Sequence, residues 1–136
     1  MTPDKKKSAK GLDLEALLRA VELCDPNTLL GFYAEDAQVR IVNGDAPHSP
    51  PFELRGRVEI SRYLRAVSDQ EMICRVESGV ASNDGRITFS ETCEYPDGTR
   101  VAVETTLELS SEGEIARQVD VVSQEVEEQA GQEGGA

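Results

Sequence analysis

Regular alternation of apolar and polar residues in the second half of the chain is the feature that most limits its fold. Between residues 72 and 109 three alternating segments follow one another, separated by Asp84-Gly85 and by Pro96-Asp97-Gly98. Side chains along a β-strand point to the two faces of a sheet in turn, and Asp-Gly is a strong hairpin signal. The pattern predicts antiparallel strands over residues 72–82, 86–95 and 100–109, and a final strand over residues 115–123.

The same alternation predicts which face each strand buries. Apolar residues occupy even positions in residues 72–82, including Val80, and odd positions in the next two strands. A two-residue Asp84-Gly85 turn pairs even with odd positions and keeps the apolar faces together. The second connection needs three residues or a bulge to keep odd positions together, so we expect Gly98 at positive φ.

Helical patterns precede these strands. In residues 12–24 leucines and a valine recur at i, i+3, i+4 and i+7, and Asp25-Pro26 provides an N-cap followed by an N1 proline for a short second helix. Residues 38–43 alternate and predict a first strand. The proline-rich segment 43–56, which contains His48, predicts a long loop, and residues 57–67 predict a third helix.

Two polar residues interrupt the apolar face predicted for the sheet. Glu91 lies between Phe89 and Cys93, and Thr105 lies between Val103 and Leu107. A buried carboxylate without a partner is costly, so Glu91 lines a cavity, pairs with a donor, or lies where the sheet opens to solvent. A bulge that turns Glu91 outward is the remaining alternative.

Three short motifs occur in a fixed order along this pattern. They are Phe32-Tyr-Ala-Glu-Asp-Ala37 before the first strand, Leu54-Arg-Gly-Arg57 before the third helix, and Glu112-Gly-Glu-Ile115 leading to Asp120. With the order of helices and strands, they resemble the nuclear transport factor 2-like superfamily over residues 12–124, most closely its SnoaL-like and ketosteroid-isomerase-like members. The resemblance implies an α+β cone: a curved antiparallel sheet, wrapped around three N-terminal helices, enclosing a pocket and often dimerising through its outer face.

The resemblance also implies which site residues are present and which are lost. The base, tyrosine and protonated acid of the ketosteroid isomerases fall on Ile41, Ala20 and Thr105, so steroid delta-isomerase chemistry by that route is not expected. Asp120 matches the acid in the final strand of the polyketide cyclases and limonene-type epoxide hydrolases. Simple alternation turns Val119 inward instead of Asp120, and a bulge after Ile115 would reconcile the two assignments.

We therefore predict Asp120 and Glu91 as a proton-handling pair, because two acids in a dry pocket push their pKa values apart. A solvated Asp120 at the sheet edge is the alternative. The residues expected to contact a ligand are Tyr33, Ile41, Tyr63, Phe89, Thr105 and Val122.

No metal, disulfide or cofactor is predicted. Cys24, Cys74 and Cys93 are odd in number and widely spaced, and His48 is the one histidine, so neither a zinc motif nor a disulfide framework is indicated. Cys74 and Cys93 are expected to be small apolar fillers. This cysteine usage, and the lack of an apolar stretch after the basic N-terminal residues, favour the cytoplasm.

Charge and hydropathy exclude two classes of partner. The 14 basic and 26 acidic residues give a net charge of −12, which argues against nucleic acid, and no apolar run is long enough for a membrane span. Residues 11–124 are predicted to form one domain, between a disordered basic arm (1–10) and a disordered acidic tail (125–136).

Two functions remain open from the sequence. The first is a SnoaL-like domain that binds a small apolar organic ligand, as a cofactor-free acid/base enzyme of the isomerase, cyclase or hydrolase type. The second is a non-catalytic ligand-sensing or dimerisation module of the same fold. Fold alone does not decide between them.

Overall fold

The structure, a computed structural model, describes residues 11–124. The arms predicted at residues 1–10 and 125–136 lie outside that range. In chain order the elements are α1 (Leu14–Leu23), α2 (Pro26–Leu30), β1 (Tyr33–Asn43), β2 (Phe52–Arg55), α3 (Gly56–Ser68), β3 (Ile73–Ala81), β4 (Arg86–Glu94), β5 (Arg100–Leu109) and β6 (Ile115–Gln124). Among the described residues, no helix combines the length and hydropathy needed to cross a membrane.

The six strands form one mixed sheet in the order β2-β1-β6-β5-β4-β3. Neighbouring strands run antiparallel, except that β1 and β6 are parallel. The α+β fold and its curved sheet agree with the prediction, with this one parallel pair as an addition. The parallel pair places β1, the first long strand, directly beside the last strand, in an open sheet with β2 and β3 at its edges.

Local sequence signals begin the first two helices as predicted. The Asp13 side chain accepts a hydrogen bond from the Ala16 N–H at the start of α1, and Asp25 accepts one from Thr28 at the start of α2. The helices cover the inner face of the sheet, α1 against β3 and α3 against β1. The largest fully buried side chains of the resulting core are Leu17, Ile60, Ile87, Leu107 and Ile115.

Two features of the strands differ from the prediction. The segment predicted as a loop contains β2, a four-residue edge strand that pairs with β1. The β3–β4 connection has three residues, because Ser82 pairs with Arg86, and Gly85 takes a positive φ of 86°. A bulge between Val76 and Ser78 then restores the even-to-odd pairing further along β3, which leaves Val80 on the outer face with 62% of its surface exposed.

The β4–β5 connection agrees with the prediction. Tyr95 donates its N–H to the Thr99 carbonyl, so Pro96-Asp97-Gly98 is a three-residue loop, and Gly98 has φ +92°. The predicted bulge in β6 is also present, since Leu109 pairs with Ile115 but Glu108 pairs with Arg117. Ala116 is the extra residue, and it reverses the faces of everything that follows it.

Candidate active site

A cavity of about 240 Å³ lies between the helices and the inner face of the sheet. Its walls are mostly aliphatic and aromatic side chains from α1, α2, α3 and strands β4 to β6, with a few polar groups among them. Pockets for drug-sized ligands span about 300–1,000 Å³, so this cavity suits a smaller, largely apolar molecule.

Asp120 faces this cavity from β6. The bulge at Ala116 brings Gln118, Asp120 and Val122 to the inner face and leaves Val119 outside, 38% exposed. The predicted inward orientation of Asp120 is therefore confirmed, and the alternative of a solvated acid at the sheet edge is wrong.

Two side chains hold the Asp120 carboxyl group in place, and a third orients one of them. Thr105, directly opposite on β5, donates its hydroxyl to Oδ1 at 2.9 Å, and Gln118 donates its Nε2 to Oδ1 at 3.0 Å and to Oδ2 at 3.2 Å. The Tyr33 hydroxyl donates to Gln118 Oε1. Because this oxygen accepts from Tyr33, the amide nitrogen of Gln118 points toward Asp120, which fixes the direction of the chain of hydrogen bonds.

Burial and hydrogen bonding act in opposite directions on the pKa of Asp120. Desolvation by the surrounding protein raises it, and the hydrogen bonds from Gln118 and Thr105 lower it, with a net rise above the ordinary aspartate value. Burial also raises the pKa of Tyr33, and it raises that of Tyr63 to about 12, with the negative charge of Asp120 contributing to both. Both tyrosines are therefore neutral hydroxyl groups at pH 7.

Glu91 lines the same cavity from β4. Burial raises its pKa, a hydrogen bond from Cys93 partly opposes that rise, and the charge of Asp120 adds to it. Among the described residues that line the cavity there is no lysine, arginine or histidine. Glu91 is thus an inward acid without a basic partner, and the alternative that a bulge turns it outward is wrong.

The structure also brings the three cysteines together beside Glu91. Cys24 Sγ lies 3.7 Å from Cys74 Sγ, and Cys74 Sγ lies 2.7 Å from Cys93 Sγ. Cys93 Sγ lies 3.3 Å from a carboxylate oxygen of Glu91. All three thiols are free, and we call these four residues the thiol cluster.

Most of the residues expected to contact a ligand line the cavity. They are Tyr33, Tyr63, Phe89, Thr105 and Val122. Ile41 is not among the lining residues: it lies on β1 beside Asp120, packed against the core. The prediction of a ligand contact at Ile41 therefore fails for this cavity, whose lining on this side of the sheet comes from β6 and not from residue 41 of the neighbouring strand β1.

Other groups weighed in the sequence lie outside the cavity. His48 is exposed in the loop between β1 and β2, and Ala20 is buried in α1 without lining the cavity. Sequence reasoning missed Gln118 and the thiol cluster. The motif around Asp120 gave a signal for Gln118, two residues earlier on the same face, but no local pattern brings Cys24 next to Cys74.

Comparisons with solved structures identify this architecture. The epoxide hydrolase/cyclase-like enzyme SalBIII, which has a role in pyran ring formation in the polyether salinomycin, superposes with a TM-score of 0.62 at 18% identity, covering 80% of this chain and 86% of SalBIII. A putative ketosteroid isomerase from Kribbella flavida DSM 17836 gives 0.63 at 17% identity, covering 84% and 77%. The BvnE pinacolase from Penicillium brevicompactum gives 0.60 at 10% identity, covering 80% and 82%.

No family model and no curated protein sequence matches the chain. At these identities the structural matches show the fold. The chain has the cone fold of the nuclear transport factor 2-like superfamily, in the form found in SnoaL-like and ketosteroid-isomerase-like proteins.

Proposed function

We propose that this chain is a SnoaL-like domain that binds a small, mostly apolar organic molecule and moves a proton to or from it through Asp120. One observation carries the proposal: a carboxyl group with a raised pKa faces an apolar cavity, held there by Thr105 and Gln118. A carboxyl group with a raised pKa keeps its proton to higher pH than an ordinary aspartate, which suits a general acid or base.

The chemistry that fits is of the isomerase, cyclase or hydrolase type. The structural neighbours described as an epoxide hydrolase/cyclase-like enzyme, a putative ketosteroid isomerase and a pinacolase are consistent with this range. Steroid isomerisation by the usual route is not proposed, because Ile41 and Ala20 have no group that transfers a proton. Thr105 donates its hydroxyl to Asp120 and is not a protonated acid.

Asp120 is the primary proton carrier in this proposal, and Glu91 is the second acid. In the protonated state Asp120 donates to a ligand oxygen, such as that of an epoxide or carbonyl, while Gln118 and Thr105 keep its carboxyl group oriented. The hydroxyl of Tyr63 also faces the cavity and remains a neutral donor, because its pKa is raised to about 12. Together they supply both a proton and a hydrogen bond to one ligand oxygen.

We further propose a homodimer formed through the outer face of the sheet, and a location in the cytoplasm. Val119 is exposed on the outer face of β6, the third of the six strands across the sheet. A two-fold contact through this face would bury it. The free thiols of all three cysteines agree with a reducing compartment.

The experiment uses two small probes: styrene oxide for hydration, and a β,γ-unsaturated cyclohexenone for isomerisation. Binding is followed by amide chemical-shift changes and turnover by chromatography, in wild type, Asp120→Asn and Asp36→Asn. Asp36 is an exposed aspartate on β1 and serves as the matched control. We expect Asp120→Asn to lower turnover of the accepted probe by about 10²–10⁴-fold, as for loss of a general acid or base, and Asp36→Asn to leave it unchanged.

Equal turnover by wild type and Asp120→Asn would contradict the proposed role of Asp120. Chemical-shift changes confined to cavity residues, with no turnover of either probe, would support the non-catalytic ligand-sensing alternative instead.

A further inference from the structure

The thiol cluster lies on the wall of the cavity where α1 meets β3 and β4. The ligand atoms of Cys74, Cys93 and Glu91 all lie within 4.8 Å of one another, and Cys24 Sγ is 3.7 Å from Cys74 Sγ. Cys74 and Cys93 are buried, at 8% and 3% exposure. Four deprotonatable side chains therefore share one small region.

Strand register places three members of the cluster side by side. Cys74 and Cys93 are directly opposite each other on β3 and β4, and Glu91 is two residues from Cys93 on the same face. The bulge after Val76 lies beyond this pairing, so Cys74 stays in register with Cys93 although the hairpin end of β3 is shifted. Cys74, Cys93 and Glu91 therefore lie in the regularly paired part of β3 and β4.

The end of α1 supplies the fourth member. Glu22 accepts a hydrogen bond from the Val76 N–H at 2.7 Å, which ties the helix end to β3 next to Cys74. Cys24 then caps the helix in the left-handed region, with φ 52° and ψ 42°. Glycine or asparagine usually occupies this C-terminal position, because the left-handed conformation is strained for other residues. In this chain a cysteine adopts it, and its thiol lies next to that of Cys74.

Groups that carry or can carry negative charge surround this region, and a bound cation would neutralise them. The C-terminal end of a helix carries partial negative charge, and Glu91 adds a carboxylate.

These surroundings disfavour a reactive redox pair. Thiol oxidation requires access to an oxidant, so the buried thiols of Cys74 and Cys93 react slowly. A divalent cation acts in the opposite sense, because it displaces the protons and neutralises the charges that crowd together.

Some of the distances are those of a tetrahedral site, and the ligand atoms that all lie within 4.8 Å of one another are those of Cys74, Cys93 and Glu91, without Cys24. Zinc–sulfur bonds of about 2.3 Å place neighbouring ligand atoms about 3.8 Å apart around the ion. The Cys24–Cys74 sulfur separation of 3.7 Å matches this value, and Cys93 to Glu91 at 3.3 Å is close to it. The 2.7 Å between Cys74 and Cys93 requires the two sulfurs to part by about 1 Å around an ion with bonds of that length.

We propose that Cys74, Cys93 and Glu91 form a binding site for one thiophilic divalent cation, with Zn²⁺ the ion that this donor set fits best and Cys24, next to Cys74, as an adjacent thiol. Soft thiolates with one carboxylate select zinc over magnesium or calcium, which prefer oxygen ligands alone. The proposed site departs from the expectation, drawn from cysteine spacing, that no metal is bound.

The site has a consequence for the cavity. Glu91 and Cys93 both line it, so the ion would lie at the cavity wall. Glu91 would then be a metal ligand instead of the second proton carrier, while the role proposed for Asp120 does not depend on the metal.

The test is a cobalt titration of the full chain after treatment with chelator and a phosphine reductant. Tetrahedral cobalt–thiolate sites give a sulfur-to-cobalt charge-transfer band in the near ultraviolet. We expect one equivalent of Co²⁺ to produce this band and one equivalent of Zn²⁺ to abolish it. Loss of an outer partner of a ligand already weakens metal binding about 10–100-fold, so Cys74→Ser and Cys93→Ser should weaken it at least tenfold.

Glu91→Gln should keep the charge-transfer band but bind cobalt more weakly, and Glu104→Gln is its control. Glu104 is an exposed glutamate on the neighbouring strand β5, and its replacement should leave the titration unchanged. Thermal unfolding of wild type gives a second readout that does not depend on the variants folding. Zn²⁺ should raise its melting temperature, and Mg²⁺ at the same concentration should not.

Three results of the metal-binding experiments would overturn the proposal. They are cobalt binding without the charge-transfer band, equal weakening by Glu91→Gln and Glu104→Gln, and a reduced wild-type chain that zinc does not stabilise. A mass loss of two hydrogens on mild peroxide treatment, in a chain that binds no cobalt when reduced, would assign a disulfide in place of the metal. Thiolate–cobalt binding by a chain that turns over neither organic probe would support the metal site and contradict only the function proposed for Asp120.

Discussion

Asp120 shows how a few neighbours decide the behaviour of one carboxyl group. Desolvation disfavours its charged form, and the donors Gln118 and Thr105 favour it, with the first effect larger. The negative charge of Asp120 contributes to the raised pKa values of Glu91, Tyr33 and Tyr63. The ionised carboxylate is therefore less stable in the folded protein than in the unfolded chain.

This predicts a pH-dependent effect of Asp120→Asn on stability. The folded pKa lies above the unfolded value of about 3.9, so the native state keeps the proton longer and stability falls as pH rises through this interval. Asparagine does not ionise, so the Asp120→Asn variant does not lose stability in this way as pH rises. We expect the melting temperature of Asp120→Asn, relative to wild type, to increase between pH 4 and pH 7.

Asp36→Asn serves as the control and should show no such trend, because Asp36 is exposed. A difference between Asp120→Asn and wild type that stays constant with pH, or falls, would contradict the raised pKa.

Tyr33 provides a second test at the residue scale. Its hydroxyl is the donor to Gln118 Oε1, in a buried residue, and phenylalanine would leave that oxygen without this partner. We expect Tyr33→Phe to lower the free energy of unfolding by about 1–3 kcal/mol, the cost of an unsatisfied buried polar group, as measured by urea denaturation.

Tyr95→Phe is the comparison for Tyr33→Phe. Tyr95 also lines the cavity but is only partly buried. Its replacement should cost less than about 0.5 kcal/mol, as is usual for changes near the surface. Equal costs for the two variants would show that the Tyr33–Gln118 hydrogen bond contributes little.

Local pattern was sufficient for some site residues and insufficient for others. Alternation placed Glu91 and Thr105 on the inner face, and the motif before Asp120 identified the acid that faces the cavity. Cys24 could not be placed, because its proximity to Cys74 depends on how α1 packs against β3, a contact between residues 50 positions apart. Ile41 was misplaced since the resemblance gave a motif position without the local geometry of the sheet.

At the scale of elements, the sequence pattern predicted some features of the hairpins and missed others. The strand bounds of β4 to β6 and both inferred irregularities, the loop at Gly98 and the bulge in β6, follow from keeping apolar faces together. The β3–β4 turn did not follow, because a three-residue turn with a later bulge satisfies the same constraint as a two-residue turn. The strand β2 was missed because four residues next to two prolines carry too little periodicity to be seen.

Gly98 gives a prediction about these turns. Its φ of +92° is one that residues with a β-carbon rarely adopt, although a β-carbon there would meet no atom within 4 Å. The cost of Gly98→Ala is therefore conformational, and we expect it to lower the free energy of unfolding by about 1–2 kcal/mol. Urea denaturation midpoints provide the measurement.

Gly31→Ala is the matched control for this substitution. Gly31 caps α2 with φ −64°, and an added β-carbon would lie 3.4 Å from the Thr28 carbonyl oxygen. The backbone there already suits alanine, so we expect a change between zero and about +1 kcal/mol in stability. A similar loss for both variants would place the cost in contacts and not in the backbone angle.

At the scale of the whole molecule, charge and shape act against each other in the proposed dimer. Each chain carries a net charge of −12, so two copies repel at low ionic strength. The outer face of the sheet nevertheless exposes Val119 on β6, the third of six strands in spatial order, and a two-fold contact would bring each copy of β6 to its partner. Because salt screens the repulsion between the two copies, the stability of the dimer depends on ionic strength.

We therefore expect the dimer to strengthen as ionic strength rises from about 0.02 M to about 0.15 M, where charges more than about 8 Å apart are screened. Val119→Glu places a like charge on each side of the contact and should weaken dimerisation at least about tenfold, equivalent to about 1.4 kcal/mol. Val80→Glu is the control, because Val80 is 62% exposed on the edge strand β3, away from the centre of the sheet. Sedimentation velocity at several protein concentrations measures the salt dependence of dimerisation and the effect of each variant. A monomer at every salt concentration, or equal weakening of the dimer by the two variants, would rule out dimerisation through this face.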